Sequence, residues 1–300
     1  MELSGVLIIN KPEGMTSHDV VNKMRRLFST RRVGHTGTLD PMATGVLVIL
    51  IGRAAKAAEY LSSDEKGYVA TLRLGTEYDT EDITGTPTFI SDRIPEEACV
   101  YATINSFTGD IMQTPPMYSA LKVKGQKLCD LARKGIEIER ESRPVTIYSI
   151  DAKKGELATD YILSVKCSSG TYIRTLCADI GKVLGCGGAM ATLQRTLAGG
   201  FSIDISHTIE EIEALDTDTR ASLLIPTESL FQTLEAVTLP AFYEKLCRNG
   251  CEIYLSKIKA NLSLGQRVRL CSQSGDFFAL GEVKAYENGL AIKAIKLFDI

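Results

Sequence analysis

The densest concentration of potential chemistry lies in residues 34–47, GHTGTLDPMATGVL, where His35, Asp40 and three glycines fall within a short stretch. Glycine relieves the steric bar on positive φ and lets a bulky ligand approach the backbone closely. Pro41 fixes its own φ and drives Asp40 toward an extended conformation. A strand is expected directly after the loop, which puts the Asp40 carboxylate at the edge of a rigid sheet, exposed yet held. On their own, these residues specify a positioned carboxylate in a glycine-rich loop and nothing more. Asp-Pro most often marks a turn, and a histidine beside glycines is commonly a loop hydrogen-bonder. A carboxylate glycosidase would need a second acid or base, and no such partner stands out in this chain.

The elements that must position this loop can be read from pattern. Residues 5–10, GVLIIN, read as a buried strand followed by a turn at 11–14. Thr16 or Ser17 then caps a helix whose Val20, Met24, Leu27 and Phe28 form one apolar stripe, with basic residues on its other face. Past the loop come a strand at 46–51, an alanine-rich helix at 53–61 and a strand at 66–74. A polar, acidic loop spans 75–87, and a helix with proline in its first turn covers 95–107. Pro115-Pro116 breaks the chain before a short basic helix at 127–134. Paired strands at 145–150 and 157–167 precede helices at 171–184 and 208–215. Beyond about residue 233 the texture changes to short alternating strands at 267–270, 277–283 and 290–297, which suits a small barrel-like β domain. The organisation expected is therefore one unit at 1–232 and a second at 233–300.

Composition limits the class of protein. A chain of 300 residues with 44% hydrophobic and 24% charged residues is in the ordinary globular range and can bury a substantial core. The amino-terminal residues carry no basic stretch of the secretory kind, and the longest apolar run, 46–51, is too short to span a bilayer. A cytoplasmic protein without membrane association is expected. Eight cysteines without a CxxC pair and only three histidines make a zinc site a poor reading; most of the cysteines should be buried thiols. The net charge of −3 opposes a nucleic-acid partner, but its distribution does not. Between residues 20 and 39 stand Lys23, Arg25, Arg26, Arg31 and Arg32 with no acidic residue, and the stretch 117–135 is also basic. Solvated helix faces would show the same pattern.

Residues 34–47 as a whole resemble the signature of the bacterial tRNA pseudouridine synthase B (TruB) family, and further stretches resemble that family in order. These are GVLIINKPEGMTS at 5–17, KGYVATLRLG at 66–75 with the DxxG at 82–85, YSALK at 118–122 with Arg143-Pro144, CSSGTYIRTL at 167–176 and GCGGAMATLQRT at 185–196. The resemblance implies an α+β pseudouridine synthase catalytic fold with a central mixed, mostly antiparallel sheet, and a small C-terminal β-barrel-like (PUA-like) domain. It implies that an RNA-gripping insertion covers about 113–143. The activity implied is isomerisation of uridine to pseudouridine in the T arm of tRNA, at position 55.

By the same resemblance Asp40 is the nucleophile, acting on a base flipped out of its stack. Whether it attacks the ribose or the base stays open. His35 is similar to the residue that helps hold the flipped-out RNA, Tyr68 to the aromatic that stacks on the target base, and Tyr172 and Leu193 to residues that close the pocket. Arg174 matches the arginine that pairs with the catalytic carboxylate, a partner expected to lower its pKa and keep it ionised. Lys11, Lys23, Arg25, Arg31, Arg32 and Lys122 are candidates for phosphate contacts. No cofactor, metal or obligate protein partner is implied; tRNA is the partner and a monomer the expected state. Tyr78 and Gln194 depart from the family pattern, which puts in doubt the loop after Gly75 and one phosphate contact. A non-catalytic RNA-binding or tRNA-folding protein on the same scaffold is the alternative.

Overall fold

The computed structural model describes residues 3–61, 65–119, 121–123, 125–132 and 134–298, the side chains of Lys122, Lys127 and Cys129 excepted. Its first elements are strand β1 (Gly5–Lys11), helix α1 (Ser17–Leu27) and strands β2 (Val33–Thr36), β3 (Thr44–Ile51) and β4 (Lys66–Leu74). Strands β1 and β3 are almost wholly apolar because both of their faces are covered. Leu7, Ile9, Leu47, Ile49 and Ile51 pack on Val20, Val21 and Met24 of α1. Val6, Ile8, Val46, Val48 and Leu50 turn the other way, onto Phe201, Phe231, Leu280 and Phe298. Helix α1 starts with a capping box: the Thr16 hydroxyl accepts from the Asp19 amide, and the Asp19 carboxylate accepts from the Thr16 amide.

The central sheet has nine strands. Its main path runs β1, β3, Gly188–Ala198, β4, Asp160–Cys167, Arg143–Lys154 and Gly109–Gln113, with β2 added beside β3 and Phe201–Ser202 beside Gly188–Ala198. One pairing is parallel, β3 with Gly188–Ala198 through Gln194 opposite Thr44 and Arg195 opposite Gly45; the others are antiparallel. The sheet is thus mixed and mostly antiparallel, in keeping with the sequence reading. Tyr68, Ala70, Leu72 and Leu74 alternate onto one face of β4, where Leu176, Cys177 and Ile180 of the helix Ile173–Val183 cover them.

Two local readings change, and one strand was not anticipated. The alanine-rich stretch is a 3₁₀ segment, Gly52–Tyr60, rather than an α-helix. Three residues per turn stack Ala54 above Ala57, and both are fully buried against the sheet. The acidic loop after Gly75 contains a short hairpin, Thr76–Tyr78 with Pro87–Ile90. The strand Gly188–Ala198, central to the sheet, is buried at each of its first four residues and alternates only from Ala191 to Arg195.

The chain ends in a five-stranded sheet ordered Glu235–Thr238, Arg267–Cys271, Phe277–Tyr286, Gly289–Leu297 and Ile253–Tyr254. It has a core of its own around Leu239, Val268, Leu270, Phe278, Val283 and Ile292. Phe277 and Phe298 meet Phe231 at ring separations of 5.9 and 5.7 Å, and Lys296 pairs with Glu59, so this sheet docks on the first strands of the central one. Among the described cysteines, Cys99 and Cys251 are exposed and the rest buried. No described helix is long and apolar enough to cross a membrane.

Candidate active site

The loop that carries Asp40 is clamped residue by residue from beneath. Gly37 and Gly45 adopt positive φ, +66° and +97°. A Cβ on Gly45 would fall 2.2 Å from the Arg195 carbonyl oxygen, so only glycine fits where β3 meets the strand Gly188–Ala198. Arg195, 1% exposed, donates to the carbonyls of Val46 (2.7 Å), Gly37 (2.8 Å) and Thr38 (3.4 Å). The Leu39 amide donates to the Ser17 hydroxyl (2.9 Å), which donates back to the Leu39 carbonyl (3.1 Å). On the other side of Asp40, the Pro41 carbonyl accepts from the Gly14 amide (2.8 Å) and from Lys11 Nζ (3.2 Å). Both neighbours of the aspartate are therefore pinned, one to α1 and the other to β1 and the turn after it.

The carboxylate itself meets Arg174, whose Nη2 lies 3.1 Å from Asp40 Oδ2. Arg174 is the second residue of the helix Ile173–Val183 and is buried among acceptors. Nη2 also donates to the Tyr118 carbonyl (2.7 Å), while Nη1 donates to the Thr80 carbonyl (3.2 Å) and faces Asp82 Oδ2 at 3.5 Å. The other Asp82 oxygen accepts from the Thr80 hydroxyl and from the amide and hydroxyl of Thr84, at 3.0, 3.0 and 2.5 Å. One guanidinium thus serves two carboxylates. The electrostatic outcome differs from the sequence expectation. Burial raises the pKa of Asp40 above its ordinary value, and Asp82 adds to the rise, while Arg174 and Lys11 only partly offset it. The arginine does pull the pKa down, but desolvation outweighs it. With 39% of its side chain exposed, the carboxylate keeps water on one side, which tempers that upward push.

A cavity of about 220 Å³ opens over Asp40, walled by Tyr68, Tyr172, Leu193, Ser119 and Arg174. Tyr68 lies opposite Arg195 in strand register, and its burial raises the pKa of its hydroxyl while the nearby guanidinium pulls it down. Its ring is left as a wall of the cavity. Tyr172 caps the helix and is pinned by Gln113, which accepts from the Tyr172 amide (2.7 Å) and donates to its carbonyl (3.0 Å). Leu193 and Arg195 share a face of their strand while Gln194 between them is exposed. His35 sits in β2, outside the cavity lining; burial, Arg195 and His18 lower its pKa, and its buried Nδ1 has no hydrogen-bond partner.

Among the described side chains, the cations proposed for RNA phosphates do not line this cavity. Lys11 is 0% exposed, and its ammonium donates to the carbonyls of Pro12 (2.8 Å), Met15 (2.6 Å) and Pro41 (3.2 Å). Burial brings its pKa down to about 8. As folded, it braces the turn rather than meeting solvent. Lys23 pairs with Glu213, and Arg25 donates to Asn22 Oδ1 (3.0 Å) and the Val33 carbonyl (3.4 Å). Arg31 and Arg32 are exposed and line a groove with Arg53 and Lys56. The Lys122 side chain lies outside the described residues, as do Ala120, Lys124 and Arg133 of the basic insertion.

Three contributors escaped the sequence reading. Asp82 was visible only as the first residue of a DxxG, though its threonine neighbours signal a side chain tied into its own turn. Arg195 occupies an inward position of a strand, where a cation must find buried acceptors. Ser119 was visible only as part of YSALK.

Comparison with known proteins places this geometry in context. Residues 25–173 match the family described as "TruB family pseudouridylate synthase (N terminal domain)", and residues 174–232 match "tRNA pseudouridylate synthase B C-terminal domain". A protein of Alkaliphilus oremlandii (strain OhILAs) named tRNA pseudouridine synthase B is 43% identical over 298 residues, 98% of each chain. One of the same name from Clostridium kluyveri is 43% identical over 297 residues, 99% of this chain and 100% of that one. Among solved structures, one titled "Crystal Structure of a Cbf5-Nop10-Gar1 Complex" superposes with a TM-score of 0.76 at 24% identity, covering 99% of this chain and 85% of that one. That likeness is one of fold.

Proposed function

The chain belongs to the TruB family of pseudouridylate synthases, and on that premise we propose that it isomerises one uridine in the T arm of tRNA, at position 55, with Asp40 as nucleophile on a flipped-out base. The observation that carries this reading is the Asp40 carboxylate 3.1 Å from Arg174 in a cavity walled by Tyr68, Tyr172 and Leu193. Such a space takes a single base, and an enzyme that works on a base must first extrude it from the stack. The ring of Tyr68 offers a stacking face.

The isomerisation breaks the N1–C1′ bond and forms a C5–C1′ bond. The C5 proton is lost and N1 gains one, so the reaction balances without oxidant or reductant. A carboxylate that bonds transiently to C1′ of the ribose or to C6 of the base divides this into two easier steps and is released at the end. Arg174 holds the attacking oxygen while its own position is held by Asp82, Thr80 and Tyr118.

The same proposal assigns residues 1–232 to catalysis, with the insertion 113–143 gripping RNA, and 233–300 to a PUA-like RNA-binding domain. Exposed Arg31 and Arg32 would meet phosphates. The enzyme would act in the cytoplasm as a monomer without an obligate protein partner. The test is tritium release from tRNA carrying [5-³H]uridine, with the modified position mapped by mass. One equivalent released per tRNA, from the T arm, is expected; no release from any tRNA would refute the reading, and release from another arm would refute the position alone.

A further inference from the structure

We propose that Ser119 is a further substrate-binding residue, whose hydroxyl donates a hydrogen bond to a carbonyl of the target uracil. The inference rests on the reading that uridine enters the cavity over Asp40. Ser119 lines that cavity beside Asp40, Tyr68 and Arg174. It is 5% exposed, and its Oγ is buried with no hydrogen-bond partner. Of the other polar groups on the wall, the Thr171 hydroxyl donates to the Ser168 carbonyl at 2.9 Å, and Arg174 is surrounded by its acceptors. A buried hydroxyl left unpaired carries a free-energy penalty, and such groups in native proteins are generally matched by a ligand or water.

The position of this hydroxyl is also set by the catalytic pair. The Tyr118 carbonyl, one residue before Ser119, accepts from Arg174 at 2.7 Å, and the same Nη2 faces Asp40 at 3.1 Å. Pro115 and Pro116 stiffen the approach, and Arg140 donates to the Pro115 carbonyl at 3.1 Å. Ser119 is therefore registered to the reacting carboxylate through a single guanidinium.

Uracil presents a carbonyl, an N–H and a second carbonyl along one edge. Turning the detached base about the line through C6 and N3 exchanges N1 with C5, as the isomerisation requires, and exchanges O2 with O4 at the same time. A donor that meets a carbonyl before the turn meets a carbonyl after it. A serine hydroxyl, with one rotatable proton, suits a partner whose identity changes while its chemistry does not.

The experiment compares single-turnover pseudouridine formation by wild type, Ser119→Ala, Ser119→Thr and Ser119→Val on T-arm stem-loops. The target carries uridine, 2-thiouridine or 4-thiouridine, since a thiocarbonyl is the poorer acceptor. Ser119→Ala is expected to slow uridine at subsaturating RNA about tenfold, the size of one hydrogen bond. On the thio substrate that removes the contacted oxygen, the same substitution should cost little more. Threonine should retain activity that its isostere valine loses; equal defects in both would assign the effect to shape and overturn the proposal. A wild-type rate in Ser119→Ala, or penalties that multiply on both thio substrates, would overturn it too. Wild type inactive on uridine would instead refute the proposed function on which this rests.

Discussion

Asp40 and Arg174 stand 3.1 Å apart but are buried unequally, the arginine side chain 6% exposed and the aspartate 39%. Arg174 is the fixed member, held by two backbone carbonyls and Asp82, and Asp40 leans on it from a loop that is pinned on both sides. Because burial raises the Asp40 pKa, the folded state holds this charge less well than the unfolded chain does. Asp40→Asn should therefore abolish pseudouridine formation while leaving the melting temperature at pH 7 equal to or above that of wild type. A clearly lower melting temperature would mean that the pair is a structural tie.

The pH dependence follows with its sign. A carboxylate whose folded pKa is raised stays protonated to higher pH, so the rate should fall as pH drops through a value above the ordinary 3.8. The stability contribution runs the other way: this group's penalty is full above its folded pKa and fades as pH falls toward the unfolded value. Asp82 is one cause of the rise, so Asp82→Asn should move the acid limb of the single-turnover rate to lower pH. An unmoved limb would separate Asp82 from the electrostatics of Asp40.

Removing Arg174 should cost more in folding than removing either carboxylate. Arg174→Ala leaves Asp82 buried at 6% side-chain exposure with no cation, along with the Thr80 and Tyr118 carbonyls that it bonds. An uncompensated buried charge costs about 3–5 kcal/mol, readable in urea unfolding. Arg174→Lys keeps the charge but cannot reach four acceptors with a planar fork, so activity should stay low with smaller destabilisation.

What could be read from residues alone, and what could not, divides along physical lines. Strands β1 and β3 were legible because burial on both faces writes an unbroken apolar run. Asp40 was legible as a held carboxylate because Pro41 constrains the backbone beside it, while Gly37 and Gly45 permit the positive φ that the loop requires. The strand Gly188–Ala198 was hidden, since its first four residues are buried on both faces and the inward position after Leu193 is the cation Arg195. Asp82, Arg195 and Ser119 were hidden for a different reason: a polar side chain is buried or exposed according to partners distant in sequence. The enclosure of Lys11 was hidden for that reason as well. A positive charge beside a turn looks solvent-facing until Pro12, Met15 and Pro41 are seen to converge on it.

Lys11 and Arg31 consequently predict opposite behaviour toward RNA. Deleting a cation that neutralises one phosphate should weaken binding and reduce the slope of log affinity against log salt by about 0.7–0.9. Arg31→Ala and Arg32→Ala, at exposed positions, should each lower affinity for a T-arm stem-loop and flatten that slope, with the single-turnover rate at saturating RNA unchanged. Lys11→Met should leave the slope as it is, because the ammonium is enclosed. It should instead lower the rate, since the Pro41 carbonyl loses a donor beside Asp40, and the site loses a positive charge that helps keep the carboxylate ionised. Filter binding at several salt concentrations beside single-turnover kinetics checks both. A flattened slope for Lys11→Met would show that the lysine reaches a phosphate after all, through a rearrangement of the turn at 11–15.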